Sequence, residues 1–101
     1  MNYIAERKLQ YSEKGSTKRN TFFIRISEPF FVEQSMVSFP LDGEIHGCKV
    51  DIDGLDETYP DVYGADALQA VNLASNVESM LKRLQKKYDI FWFSGEPYFD
   101  D

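Results

Sequence analysis

Tyr63-Gly64-Ala65-Asp66-Ala67-Leu68-Gln69-Ala70-Val71-Asn72-Leu73-Ala74 is the most regular stretch of the chain, and with its continuation to Lys87 it reads as one long helix. Ala70, Leu73, Ala74, Val77, Met80, Leu81, Leu84 and Tyr88 recur at intervals of three and four. That spacing makes an apolar stripe facing a sheet. The start is sharply marked. Asp66 and Gln69 have capping-box spacing, with Gly64 as an alternative N-cap. A carboxylate in the first turn suits the helix dipole, as do Lys82, Arg83, Lys86 and Lys87 in the last turns. At ~1.5 Å per residue the helix from Asp66 to Lys87 is roughly 33 Å long, enough to cross a small domain.

Strands and turns precede it. Residues 2–11 alternate partially, with Tyr3, Ala5, Arg7, Leu9 and Tyr11 on one side. After the turn around Gly15, residues 18–27 form a second strand: Phe22, Ile24 and Ile26 share one face, Phe23 and Arg25 the other. The short connection makes the two an antiparallel hairpin. Pro29 closes the second strand. Residues 28–44 read either as a long loop or as holding a short strand at Met36–Phe39. From His46 to Leu55, Cys48, Val50 and Ile52 alternate with Lys49, Asp51 and Asp53, the pattern of a strand with one dry and one wet face. Ile90 to Phe93 suit a last strand, and Gly95-Glu96-Pro97 a turn. The expected fold is α+β: an antiparallel sheet of three to five strands packed on one face by a single long C-terminal helix. A chain of 101 residues with no linker or repeat is expected to be one domain, residues 1–101.

The net charge of −6 is unevenly spread. Residues 1–27 carry six basic and two acidic side chains, whereas residues 28–66 carry ten acidic ones against Lys49 alone. Such a segment repels nucleic acid and favours a basic partner if it gathers on one face. Otherwise it is a solvated loop surface. The one cysteine, Cys48, allows neither an intramolecular disulfide nor a Cys-based zinc motif. It fits a reducing cytoplasm better than secretion. With no signal-peptide pattern and no apolar run near the roughly 20 residues that span a bilayer, the expectation is a cytoplasmic protein away from membranes.

The stretch from Gly64 to Ala74 resembles the "G-x-D-x-L-Q-A-L-x-L-A" helix start of a family of small bacterial domains of unknown function. Ile4-Ala5-Glu6-Arg7, Asp53-Gly54-Leu55 and Gly95-Glu96-Pro97 are similar to that family's other landmarks and occur in the right order. Residues 28–44 carry none of them. The resemblance implies a compact bacterial α+β domain and brings no catalytic residues with it.

No catalytic or ligand motif stands out. Asp51, Asp53, Asp56 and Glu57 beside Gly54 suggest Ca²⁺, but the spacing fails that of an EF-hand loop, and a solvent-facing strand is the simpler reading. His46 and Cys48 share a strand face, as a nucleophile and base would, yet an inward Cys48 is simple packing. Asp66 and Gln69 mark either a polar patch at a helix start or a cap. Phe91, Trp92, Phe93, Tyr98 and Phe99 either form a contact surface or close the core, with Tyr98 and Phe99 the pair expected to be exposed. The expected function is therefore non-enzymatic protein binding, without metal or cofactor. The sharpest version is a bacterial immunity or antitoxin-type protein that neutralises a basic toxin domain, such as a nuclease, through residues 28–66. Its expected binding residues are Asp51, Asp53, Asp56, Glu57, Asp61, Tyr98 and Phe99. The rivals are a homo-oligomeric structural domain, for instance a homodimer, and a small carboxylate-dependent enzyme.

Overall fold

Phe22, Ile24 and Ile26 alternate along one strand and are all buried, so the core is built first on that strand. The computed structural model describes residues 2–99; Met1, Asp100 and Asp101, which the terminal readings include, lie outside them. Strands β1 (Tyr3–Glu13) and β2 (Asn20–Ser27) form the expected hairpin. The order continues through β3 (Phe30–Phe31), β4 (His46–Cys48), β5 (Val50–Asp53) and β6 (Val62–Gly64). Helices α1 (Ala67–Ser75) and α2 (Glu78–Leu84) and strand β7 (Tyr88–Trp92) complete it.

The fold is α+β, with two antiparallel sheets instead of one. The larger has the order β5-β2-β1-β7 and the smaller β3-β4-β6. The division arises because the strand expected over residues 46–55 is interrupted at Lys49, where the chain leaves one sheet and enters the other. Ser27, fully buried at this corner, explains how the break is tolerated. Its hydroxyl accepts from the Lys49 N–H at 2.8 Å and donates to the Glu28 carbonyl at 2.9 Å. Its backbone N–H donates to the Lys49 carbonyl at 3.0 Å. The corner thus keeps the Lys49 amide and carbonyl paired although the ladder is broken there.

Residues 28–44 hold the two-residue strand β3 and then a loop with a 3₁₀ turn at Gln34–Met36, not a strand at Met36–Phe39. The Gln34 side chain pins this loop by donating to the Phe39 carbonyl and accepting from the Leu41 N–H.

The single long helix is also corrected. It is bent, with α1 and α2 separated at Asn76 and Val77, and it ends at Leu84 rather than Lys87. Ser75-Asn76-Val77 holds no glycine or proline, but each of the three residues is a weak helix former. The Ser75 hydroxyl bonds back to the Asn72 carbonyl at 3.0 Å, in competition with the helical ladder. The bend serves the two sheets. Helix α1 lies against β4 and β6, while α2 sends Met80, Leu81 and Leu84 into the core shared with Leu9, Phe22 and Ile90.

The start of α1 is as expected at Asp66, whose Oδ1 accepts from the Gln69 N–H at 2.8 Å. The Gln69 side chain reaches back to the Ala65 N–H at 2.6 Å. Gly64 is not the cap. It ends β6, and a Cβ there would lie 2.6 Å from the Ala70 nitrogen. Glycine is what lets the strand touch the helix. Within the apolar stripe, Leu73 departs from expectation at 46% exposure.

Strand β7 pairs only with Leu9–Glu13 of β1. Among the described residues, Tyr3–Lys8 therefore has β2 on one side and no strand on the other.

Candidate functional site

The helices cover only one face of the four-stranded sheet. Alternation puts Phe22, Ile24, Ile26 and Val50 under them and leaves Phe23, Arg25, Asp51 and Asp53 on the opposite, outer face. Register aligns side chains on that face into rows. Asp53, Phe23 and Lys8 are cross-strand neighbours, as are Asp51, Arg25 and Glu6.

Cations lie over the rings there. The Lys8 ammonium is 3.9 Å from the Phe93 ring centre, the Arg19 guanidinium 3.7 Å from that of Phe91, and Arg25 4.5 Å from that of Phe23. Contacts of this kind are each worth roughly 0.5–1 kcal/mol at exposed sites. Arg25 also pairs with Asp53 at 2.7 Å and with Glu6 at 3.5 Å. The bond to Asp53 holds the guanidinium in its charged form, above its ordinary pKa.

The five expected carboxylates do not gather into one patch. Asp51 accepts from the Tyr3 hydroxyl, a bond that raises the Tyr3 pKa. A bulge between Tyr3 and Ala5 allows it, moving Tyr3 off the Ala5, Arg7 and Leu9 side where the alternation put it. Asp53 is held by Arg25. Asp56 is exposed at the turn after β5. Glu57 lies near the end of α2, 3.3 Å from the Lys87 ammonium and 3.4 Å from the Tyr88 hydroxyl. Burial, then the Glu57 charge, push the Tyr88 phenol above its ordinary pKa. Asp61 stands 3.9 Å from Lys49, beside the smaller sheet.

The tail divides differently from expectation. Tyr98 and Phe99 are half-buried and pack against the core. The Tyr98 hydroxyl donates to Glu78 and accepts from Arg7 at 2.6 Å, while Arg7 also reaches Glu78 at 3.0 Å. The Tyr98 ring stacks on Trp92 at 4.5 Å. Burial, then the bond to Glu78, push its phenol up to about 12. Trp92 at 40% and Phe93 at 50% are the exposed aromatics instead. The tail is held because the Tyr98 N–H and the Glu96 carbonyl bond to Ile90 and Trp92 of β7.

His46 and Cys48 are not hydrogen-bonded to each other. Cys48 is fully buried and donates to the Ser27 carbonyl at 3.5 Å. Burial pushes its thiol above the ordinary range, which disfavours the thiolate a nucleophile needs. The His46 ring lies edge-on to Phe31, and its Nδ1 has no hydrogen-bond partner. Among the described residues, no three His, Cys, Asp or Glu side chains group to hold a metal ion. No helix among them is long and apolar enough to cross a membrane.

The outer-face rows were only half visible in the sequence. Phe23 and Arg25 sharing a face was legible from alternation, but bringing Lys8 and Phe93 beside them needs the strand register. The chain matches no family model, no curated protein and no solved structure.

Proposed function

We propose that the protein acts by binding another protein, as a bacterial immunity or antitoxin-type protein that neutralises a basic toxin domain such as a nuclease. The observation that carries this reading is the exposed pair Asp53 and Asp56, set in a segment, residues 28–66, with ten carboxylates against one lysine. Of the carboxylates expected to bind, Asp53 and Asp56 are the exposed ones, flanking Gly54 and Leu55 at the end of edge strand β5. The ion pairs that occupy Asp53, Glu57 and Asp61 do not oppose the reading. Each has one well-exposed member, and pairs open to solvent contribute only about 0–1 kcal/mol. The resemblance of the helix start to a family of small bacterial domains supports the bacterial setting.

The test begins with the genes beside this chain's own: a basic toxin-type domain is expected among them, and its recombinant form is the binding partner to assay. Binding is expected to weaken steeply as salt rises, because complementary charge mainly accelerates encounter and sets specificity. The double substitution Asp53→Lys, Asp56→Lys should lower affinity by at least about tenfold, or ~1.4 kcal/mol. A complex indifferent to both salt and charge reversal removes the proposal.

A further inference from the structure

We propose that the outer face of the four-stranded sheet is a self-complementary surface on which a second copy of this chain docks. The copies lie sheet against sheet, about a two-fold axis that runs along the strands between β1 and β2. The inference does not depend on the toxin reading.

Three observations carry it. First, the middle of this face is open: Glu6, Lys8, Asp53 and Phe93 are exposed on it and Phe23 is only half-buried. Second, its charges are ordered across the strands. Carboxylates Asp51 and Asp53 occupy β5 at one edge, Arg25 lies on β2, and Glu6 and Lys8 lie on β1. Third, Glu6 and Arg25 are direct cross-strand partners, as are Lys8 and Phe23.

Rotation about the axis named lays β2 of one copy over β1 of the other. Arg25 then faces Glu6 of the second copy, and Glu6 faces its Arg25. Phe23 meets Lys8 of the second copy, and Lys8 meets its Phe23. Every such contact occurs twice, as an isologous interface requires. The β5 carboxylates pass to the opposite side, over Phe93 and the end of β7. A two-fold running across the strands would instead lay β5 on β5, with Asp51 and Asp53 against the same two carboxylates of the second copy. Like charges at that range are unfavourable, so the charge pattern selects the first axis. The strand axes of the two sheets then run alongside one another, as in aligned sheet packing.

The same pattern disfavours single-stranded nucleic acid. Aromatics beside cations suit base stacking, but Asp51, Asp53 and Glu6 lie in the rows a phosphate backbone would cross.

Sedimentation equilibrium tests this directly. It is preferred to chromatography because the molecule measures 48 × 24 × 23 Å, and an elongated monomer elutes early. The mass of the wild-type chain should climb from monomer towards dimer between about 10 μM and 1 mM, the range of a small polar interface. Phe93→Ser, at a half-exposed position, should weaken association at least about tenfold.

The decisive arm uses two charge reversals. In Glu6→Arg, positions 6 and 25 are both basic; in Arg25→Glu, both are acidic. Each variant alone should be monomeric, because both cross-copy contacts are then repulsive. Mixed in equal amounts they should form a heterodimer, because both contacts become attractive. Surface pairs contribute little to folding, and a circular dichroism melt of each variant checks that it is folded. If Arg25→Glu is not folded, Glu6→Arg alone carries the arm: it should stay monomeric at concentrations where the wild type associates, and a Glu6→Arg variant that associates as well as the wild type overturns the proposal. A wild-type mass that stays monomeric at about 1 mM overturns the proposal. So does a mixture that associates no better than its components. Binding of a labelled oligothymidine strand that Lys8→Glu abolishes would assign the face to nucleic acid and overturn it too. Asp56→Lys should leave self-association unchanged, so this result and the toxin result are read separately.

Discussion

Tyr98 shows how one side chain couples the tail to the body of the protein. Its phenol sits between Arg7 of β1 and Glu78 of α2, with its folded pKa raised to about 12 from the ordinary value of about 10. A group whose pKa is raised on folding contributes stability fully below its unfolded pKa. It loses that contribution as pH climbs through the folded value. The window here is therefore about pH 10 to 12. Tyr98→Phe should flatten the fall of the melting temperature across that window, measured against wild type by circular dichroism. An unchanged slope would show that the phenol keeps its proton no better folded than unfolded. None of this was legible in the sequence. Tyr98 follows a Gly-Glu-Pro turn in an aromatic-rich tail, and nothing local says that Arg7, ninety-one positions away, waits for its hydroxyl. Asp66 is the opposite case. Its role is local, since its partner is the amide three residues on, and the capping pattern named it in advance.

Elements were legible wherever their causes were local. Strand alternation named the buried face of β2, and three- and four-residue spacing named Ala70, Ala74, Val77, Met80, Leu81 and Leu84, all of them buried. The bend at Asn76 and Val77 was hidden because the apolar stripe runs through it without a break. A stripe reports which side faces the core, not whether one core face or two lie beneath. The interruption at Lys49 was hidden for a related reason: alternation survives it, while the Ser27 side chain that makes it tolerable lies twenty-two residues away. The start of α1 yields a prediction at this scale. Asp66→Ala removes the acceptor for the Gln69 N–H and should cost about 1 kcal/mol, within the range of N-cap losses. Asp66→Asn, which keeps an acceptor, should recover most of it. A denaturant titration of the three proteins measures both, and equal stability of all three would contradict the assignment of the cap.

At the scale of the molecule, the two sheets and both helices share one core, so the protein should unfold as a unit. Cys48 reports on this, lying on β4 next to the corner between the sheets with no exposed surface. Its reaction with a thiol reagent should be slow in the native protein and accelerate with denaturant along the global unfolding curve. Labelling well before that curve would mean that the smaller sheet opens by itself. The radius of gyration, 15.5 Å, exceeds the roughly 13 Å usual for a chain of about 100 residues. Composition had no access to this. The row-ordered outer face of the larger sheet was equally out of reach, because it depends on a strand register that neither composition nor local spacing records.

The larger sheet is also stepped, because β7 stops short and leaves Tyr3–Lys8 open on one side. A step of this kind is a template for any strand that meets it. Glu6, Arg7 and Lys8 occupy half of it, so an incoming strand must bring its own charges into register or crowd ions already engaged with Arg25, Glu78 and Phe93. The sequence that begins β1 thus works as a password at the sheet's open side. Neutral, β-prone segments of the sort that seed fibrils are turned away, and the chain keeps a long strand edge in solution without offering it to its own misfolded copies.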